Sequence, residues 1–455
     1  MAQIQKSQKP IATRPIKSGQ PLGAILGSLG LDRCIPLIHG AQGCSAFAKI
    51  FFIQHFQEPI PLQSTAMDPI STIMGSDDNI VAALATLCER SQPRIIALMS
   101  SGLSEAQGAE MTRALKSFRQ QHPKFERVEI IHLTTPDFYG SLENGYSTLV
   151  ESLIEQLVPP QTVRSVRKKR VNLLLSHMLT PGDVELIRSY VEAFGLQPVL
   201  VPDLSASLDG HLVRSDYLAT SQGGTDLQAL RQLGQSAATL VIGPSLQRAG
   251  QLLLSRSGVE SHYFPHLMTL GEMDRFILTL QQLADRPVPA WIERSRGQLQ
   301  DALIDTHIWV NGRRIAIGAE ADLLTAWLGF AQSVGLQAVS VVSPVNQPSL
   351  PALPVDWVQI GDLQDLQDGV EQAGGVDLLL ANSHGADLVA ELGVPLLRIG
   401  FPIYDQMGEF RRTRQGYAGM RDTLFEIGNL MQSRCHGRAV HHSPYKQQFL
   451  EVTHV

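Results

Sequence analysis

Short apolar runs of strand length alternate with stretches of helical periodicity along nearly the whole chain. "RIIALMS" (94–100) precedes a helical pattern over 104–121, and "VEIIHLTT" (128–135) follows. "VNLLLSHM" (171–178) leads through the turn "TPGD" into "VELIRSYVEAFG" and out to "LQPVLVP". "TLVIG" (239–243) precedes "SLQRAGQLLLSRSG", and "RIAIGA" (314–319) precedes "DLLTAWLGFAQSVG" and then "LQAVSVVSP". "VDLLLANS" (376–383), "ADLVAELG" and "VPLLRIGFPI" repeat the scheme. Strand-length runs separated by amphipathic helices predict βαβ units, parallel sheets and an α/β fold.

A weak internal repeat supports several similar modules. "FGLQPVLVPD" (194–203) and "VGLQAVSVVS" (334–343) each close a strand–helix–strand unit. Two doubly wound modules account for that spacing better than one large sheet. "VPPQTVRSVRKKR" (158–170) reads as a linker ending in a solvated basic run, and a second joint is expected near 286–298. The expected organisation is a polar N-terminal arm over 1–19, then three α/β domains over 20–168, 169–300 and 301–455, the last with a polar tail. At 455 residues the chain exceeds one ordinary core, which agrees with that division.

Composition narrows the class. Apolar residues make up 44% of the chain and charged residues 18%, against about 25% charged in typical soluble proteins. The shortfall fits either surface covered by a partner or a large interior. A net charge of −6 with no basic face argues against nucleic acid. No apolar run approaches the ~18 residues of a membrane span, and the polar start lacks a signal-peptide core. Four cysteines, at 34, 44, 88 and 435, make no secreted disulfide framework. The expected location is the cytoplasm.

Familiar catalytic signatures are missing. There is no G-x-x-x-x-G-K-[ST], no G-x-G-x-x-G opening a helix, no G-x-S-x-G, no H-E-x-x-H and no C-x-x-C, so no catalytic residue is assigned. The loops "SSGLSE", "SHMLTPGD", "GPSLQ" and "NSHGAD" follow strands, where α/β sheets bind ligands, but their residues are also ordinary helix caps. Cys34 and Cys88 lie on apolar faces and read as core thiols. Cys435 with His436, His441 and His442 is a conceivable metal cluster whose spacing matches no standard zinc pattern. Cys44 differs, because in "HGAQGCSAFAK" its neighbours Gly40, Ala41, Gly43 and Ser45 leave the backbone bare beside the apolar "FAKIFFIQHF". Filler, nucleophile, half of a disulfide and metal ligand all remain open on these residues. A sulfur on such a turn suits an iron–sulfur cluster, whose sulfides accept backbone N–H bonds.

The segment 19–68, with "HGAQGC" followed by "QHFQEP", and "VPLLRIGFPIYDQMG" (394–408) resemble β chains of the nitrogenase component 1-type family. The resemblance covers essentially the whole chain and implies three Rossmann-like domains. A catalytic β chain of that family carries cluster cysteines at three points, which here are Gly19, Cys44 and Gly102. With one of three kept, the chain resembles the β-like subunit of the scaffold that matures the iron–molybdenum cofactor. That implies a [4Fe–4S] cluster shared between subunits, ligated here by Cys44 beside Gly43. It also implies an α-like partner (NifE) in an α2β2 heterotetramer, which supplies the other ligands and holds most of the cofactor precursor. Further partners implied are NifB as precursor donor, the nitrogenase iron protein, and apo-nitrogenase as acceptor. The iron protein's docking surface in the family matches "STIMGSDDN" (71–79), with Met74 where an aromatic residue is expected. Two competitors remain: a catalytic β-type subunit of a nitrogenase-like reductase, and a sugar-nucleotide transferase-like α/β enzyme in which Cys44 is dispensable.

Overall fold

The structure is a computed structural model and describes residues 1–160, 166–212 and 217–435. The chain opens with β1 (Gln3–Lys6). The first unit then runs α1 (Gln20–Leu29), β2 (Cys34–His39), α2 (Gln42–Phe56), β3 (Gln63–Ser64), α3 (Pro69–Met74), α4 (Asp77–Ser91), β4 (Ile95–Ser100), α5 (Gly102–Gln107), α6 (Met111–Gln121), β5 (Glu129–Leu133) and α7 (Leu142–Leu157). The second comprises β6 (Arg167–Leu175), α8 (Pro181–Ala193), β7 (Gln197–Val201), α9 (Leu227–Arg231), β8 (Ser236–Ile242), α10 (Gln247–Ser257), β9 (Ser261–Phe264), α11 (Leu270–Ala284) and α12 (Ala290–Val310). The third comprises β10 (Arg314–Gly318), α13 (Ala321–Val334), β11 (Gln337–Ser343), β12 (Trp357–Ile360), α14 (Leu363–Gln372), β13 (Leu378–Ala381), α15 (Ala386–Leu392), β14 (Leu396–Arg398) and α16 (Gly416–Cys435).

Three parallel sheets result, ordered β3-β2-β4-β5, β7-β6-β8-β9 and β1-β12-β11-β10-β13-β14. The two repeated segments become equivalent strands, β7 beside β6 and β11 beside β10, each reached through one helix. Parallel strands are covered on both faces and therefore read as unbroken apolar runs. Every residue of β2 and β4 is buried. One face of the first sheet packs under α4 and α6, around Leu37, Leu84, Leu98 and Phe118. Its other face joins α1, α2 and α7 in a core that continues into the second unit through Leu174, Val241 and Leu253. The second and third units likewise share one continuous core through Tyr190, Phe276, Trp327 and Tyr417.

Four features differ from the sequence reading. The 104–121 pattern divides into α5 and α6, because Gly108 takes φ +75° and closes α5; a glycine reaches that left-handed region at no steric cost. The basic end of the expected linker is instead the start of β6, where Arg170 is buried and donates to Gln232 Oε1 and the Ala229 carbonyl. Within the N-terminal arm, Gln3–Lys6 adds an edge strand to the distant third sheet, pairing with Trp357–Ile360. Of the expected joint at 286–298, only 286–289 is loop; from Ala290 the chain is already in α12, a continuous helix of 21 residues. Among the described residues no helix is long and apolar enough to cross a membrane.

The first unit's geometry depends on a close crossing of α1 over α7. A Cβ on Gly23 would stand 1.8 Å from the Leu142 carbonyl oxygen, and one on Gly145 would stand 1.8 Å from that of Gln20. Neither clash has a flexible side chain to relieve it. Gly145→Ala is expected to destabilise the full chain by at least ~2 kcal/mol, as overpacking against fixed backbone does, read as a lower urea midpoint. An unchanged midpoint would mean that the two helices are free to separate.

Candidate functional site

β2 and β4 run side by side in register from Cys34 opposite Ile95 to His39 opposite Ser100, so the turns that follow them leave the sheet together. The Ser101 hydroxyl donates to the His39 carbonyl at 2.8 Å and ties the two turns. A Cβ on Gly40 would meet that hydroxyl at 2.7 Å. The chain then enters α2, with Gly43 as its second residue and Cys44 as its third.

Cys44 is exposed, whereas Cys34 and Cys88 are buried. Burial pushes the Cys88 thiol up to about 11 and the Cys34 thiol higher still, so both remain protonated and inert. The first turn of α2 has no side-chain cap. The Cys44 N–H donates back to the Ala41 carbonyl at 3.2 Å, while the positive end of the helix dipole favours negative charge beside the thiol. Nothing lies within 4 Å of a Cβ on Gly43, so the surface next to the thiol is bare. Only a narrow stripe of α2 is buried: Ser45, Ala48, Phe52 and Phe56. Phe47, Ile50 and Ile53 remain exposed, Phe47 at 64%. An apolar helix face of this kind marks an interaction surface.

Gly19 and Gly102 come together around one side chain. Gly19 is the N-cap of α1 and Gly102 the first residue of α5. A Cβ on Gly19 would be 3.1 Å from Cβ of Asp137, and a Cβ on Gly102 would be 2.2 Å from its Oδ1. Asp137 thus occupies the space between them. The loop carrying it is fixed by buried Gln20, whose amide donates to the Pro136 and Tyr139 carbonyls at 3.0 Å each. Phe138 and Tyr139 follow as an exposed edge-to-face pair with centroids 5.4 Å apart. Sequence reasoning missed Asp137: only the glycines on either side of it in space, not in sequence, signal its place. Among the described residues no set of three His, Cys, Asp or Glu side chains suited to one metal ion includes Cys44. Among the described residues Cys44 is the one exposed thiol, and no closed ligand set forms around it.

Met74 ends α3 and is 82% exposed, with Ile70 and Ile73 also exposed. This tip is anchored to the strand end by a polar chain. His39 Nδ1 meets Thr65 Oγ1 and its Nε2 meets Ser76 Oγ, both at 2.9 Å. Ser76 donates to Gln107 Oε1, and the Gln107 amide donates to the Ser71 carbonyl. Cys435 is the last residue of α16, while His436, His441 and His442 lie outside the described residues.

Known proteins settle the class. A model of the nitrogenase component 1 type oxidoreductases matches residues 19–432. The chain belongs to the nitrogenase component 1 type oxidoreductase family. Within it, the chain is 56% identical to the nitrogenase iron-molybdenum cofactor biosynthesis protein NifN of Klebsiella pneumoniae, over 98% of this chain and 97% of that one. It is 41% identical to NifN of Rippkaea orientalis, over 95% and 96% of the two chains. Among solved structures, a chain of nitrogenase Cp1 at pH 6.5 superposes with a TM-score of 0.88 at 26% identity, covering 95% of this chain and 96% of that one. The family's α/β architecture and the three sheets described above agree.

The anchor at His39 predicts a pH dependence. Burial pushes its imidazole down to about 4, below the ordinary ~6.5. Between those values the unfolded chain binds a proton that the folded chain refuses, so stability falls as pH drops from about 6.5 towards 4. The urea midpoint is expected to fall over that range. In His39→Gln the slope should be shallower by up to one proton, about 1.4 kcal/mol per pH unit. An equal slope in the variant would contradict a buried neutral His39.

Proposed function

We propose that the chain is the β-like subunit of a scaffold on which the iron–molybdenum cofactor precursor matures before transfer to apo-nitrogenase. Its NifN relatives are named for that cofactor's biosynthesis. The observation that carries the reading is the exposed thiol of Cys44, the one exposed thiol among the described residues, set at the start of α2 with Asp137 filling the space between Gly19 and Gly102. Cys44 would supply one thiolate to a [4Fe–4S] cluster, and an α-like partner, NifE, would supply the rest in an α2β2 heterotetramer. Such a cluster relays electrons when bound. This chain's residues then have distinct tasks. Cys44 binds, the positive end of the α2 dipole stabilises negative charge, and Phe47, Ile50 and Ile53 exclude water where the partner covers them.

In this reading the chain is a scaffold subunit without catalytic residues of its own, in the cytoplasm, and the precursor from NifB rests mainly on the partner. The apolar tip at Ile70, Ile73 and Met74 docks the nitrogenase iron protein, and the His39–Ser76–Gln107 chain holds that tip in register with the Cys44 turn.

The test is anaerobic co-expression with the α-like partner. Cys44→Ala should lose or destabilise about four iron atoms per heterodimer, one cubane, with circular dichroism unchanged. The same iron content and electron paramagnetic resonance (EPR) spectrum in the variant would remove Cys44 as a ligand. Met74→Asp should keep the full iron content and weaken iron-protein binding by about tenfold, as a charge placed in an apolar contact does. Unweakened binding would place the docking surface elsewhere.

A further inference from the structure

Away from Cys44, two buried carboxyl groups, a half-buried third and one imidazole meet where the three units join. Glu143 comes from the start of α7, His177 from the turn after β6, and Glu320 and Asp322 from the start of α13. The Asp322 backbone N–H donates to Glu143 Oε2 at 2.8 Å. Asp322 also accepts from the Ser245 N–H at 2.9 Å and from the hydroxyls of Ser245 and Ser176. Glu320 accepts from the Ser141 hydroxyl at 2.6 Å. Among the described residues none of these carboxylates forms an ion pair with Lys or Arg, and Lys17 acts on Glu320 only through space.

His177 supplies a second, independent observation. Its side chain is 3% exposed, and its Nε2 has no hydrogen-bond partner although it points at Glu143 Oε2 from 3.9 Å. The tautomer follows from its neighbour. The Ser176 hydroxyl proton goes to Asp322, so at 3.3 Å from His177 Nδ1 the serine oxygen accepts and Nδ1 carries the proton. Nε2 is then a bare lone pair facing Glu143 carboxyl oxygens in a dry interior, a repulsive arrangement unless a cation or a proton lies between them.

The geometry points to a divalent transition-metal site formed by His177 Nε2, one oxygen of Glu143 and one oxygen of Asp322. The three donor atoms lie within 4.8 Å of one another. Donors around an ion at about 2.0–2.2 Å stand roughly 3–4 Å apart, so closure asks about an ångström of movement from each. One imidazole with two carboxylates suits Zn²⁺, Mn²⁺ or Fe²⁺, not the all-oxygen Ca²⁺ or Mg²⁺ shells. Two carboxylates balance the charge of the ion. Each unit provides one ligand, so the ion would fasten the three to one another. Burial is consistent with the geometry: it keeps His177 neutral, the form that ligates a metal, and it disfavours the charged carboxylates, a penalty that a bound cation offsets. The site is independent of the role of Cys44.

The test uses the full chain carrying Cys44→Ala, so that cluster iron does not interfere, stripped with chelator and titrated with Mn²⁺ (EPR) and Zn²⁺ (equilibrium dialysis). About one ion per chain is expected, with nitrogen hyperfine coupling from His177 and a melting temperature that rises with free metal. Glu143→Gln keeps the size and the acceptor for the Asp322 N–H, so it should fold and still lose affinity by more than about 100-fold, beyond what loss of an outer-shell partner costs. His177→Ala should abolish the nitrogen coupling. Metal binding unchanged in both variants would overturn the site. So would a parent chain that takes up neither ion, and an infrared carboxylic-acid band lost in Glu143→Gln would then show that a proton does the work instead.

Discussion

A parallel sheet has no face that can be left to water, and its crossover helices cover both sides. In this chain the helices on both faces of β2 and β4 leave every residue of those strands buried. The polar groups of both candidate sites lie at the strands' carboxyl ends and in the turns that follow them. The Gly40–Cys44 turn, the Ser101–Gly102 turn, the Ser176–Thr180 turn and the Gly243–Ser245 turn all leave their sheets at such ends. The candidate cluster site and the junction at Glu143, His177 and Asp322 are two consequences of that single rule.

In the proposed reading, the face that carries Cys44 is marked by economy of ligands. A chain carrying its half of a large cluster needs several thiolates on converging turns. Here the turns converge, but two of them present glycine and the space between is filled by Asp137. The remaining thiol sits at the start of α2, against an apolar helix face. Under the proposed function, a partner that brings further ligands would use that thiol and cover Phe47, Ile50 and Ile53. Membership of the nitrogenase component 1 type family supplies the setting in which such a division of labour between subunits makes sense.

The alternation of apolar runs and helical periods made most strands legible, including β4, β6 and β10, since burial on both faces leaves a strong signal in composition. The burial of Cys34 and Cys88 was legible for the same reason. Where local propensity was overridden, the reading failed. Gly108 divides one apparent helix, and Gln3–Lys6 reads as a polar arm because an edge strand half exposed to water carries no apolar run. Arg170 looked like part of a solvated run, yet the sheet buries it and supplies its acceptors.

For this protein the sequence by itself determined the α/β class, the repeated strand–helix–strand units and the singular setting of Cys44, because each depends on residues close together along the chain. Only the tertiary structure decided that Gly19 and Gly102 flank Asp137, that His39 braces the tip at Met74, and that Glu143, His177 and Asp322 share one dry junction. Those relations join residues tens to hundreds of positions apart, and no local pattern encodes which turn of one unit will face which helix start of another.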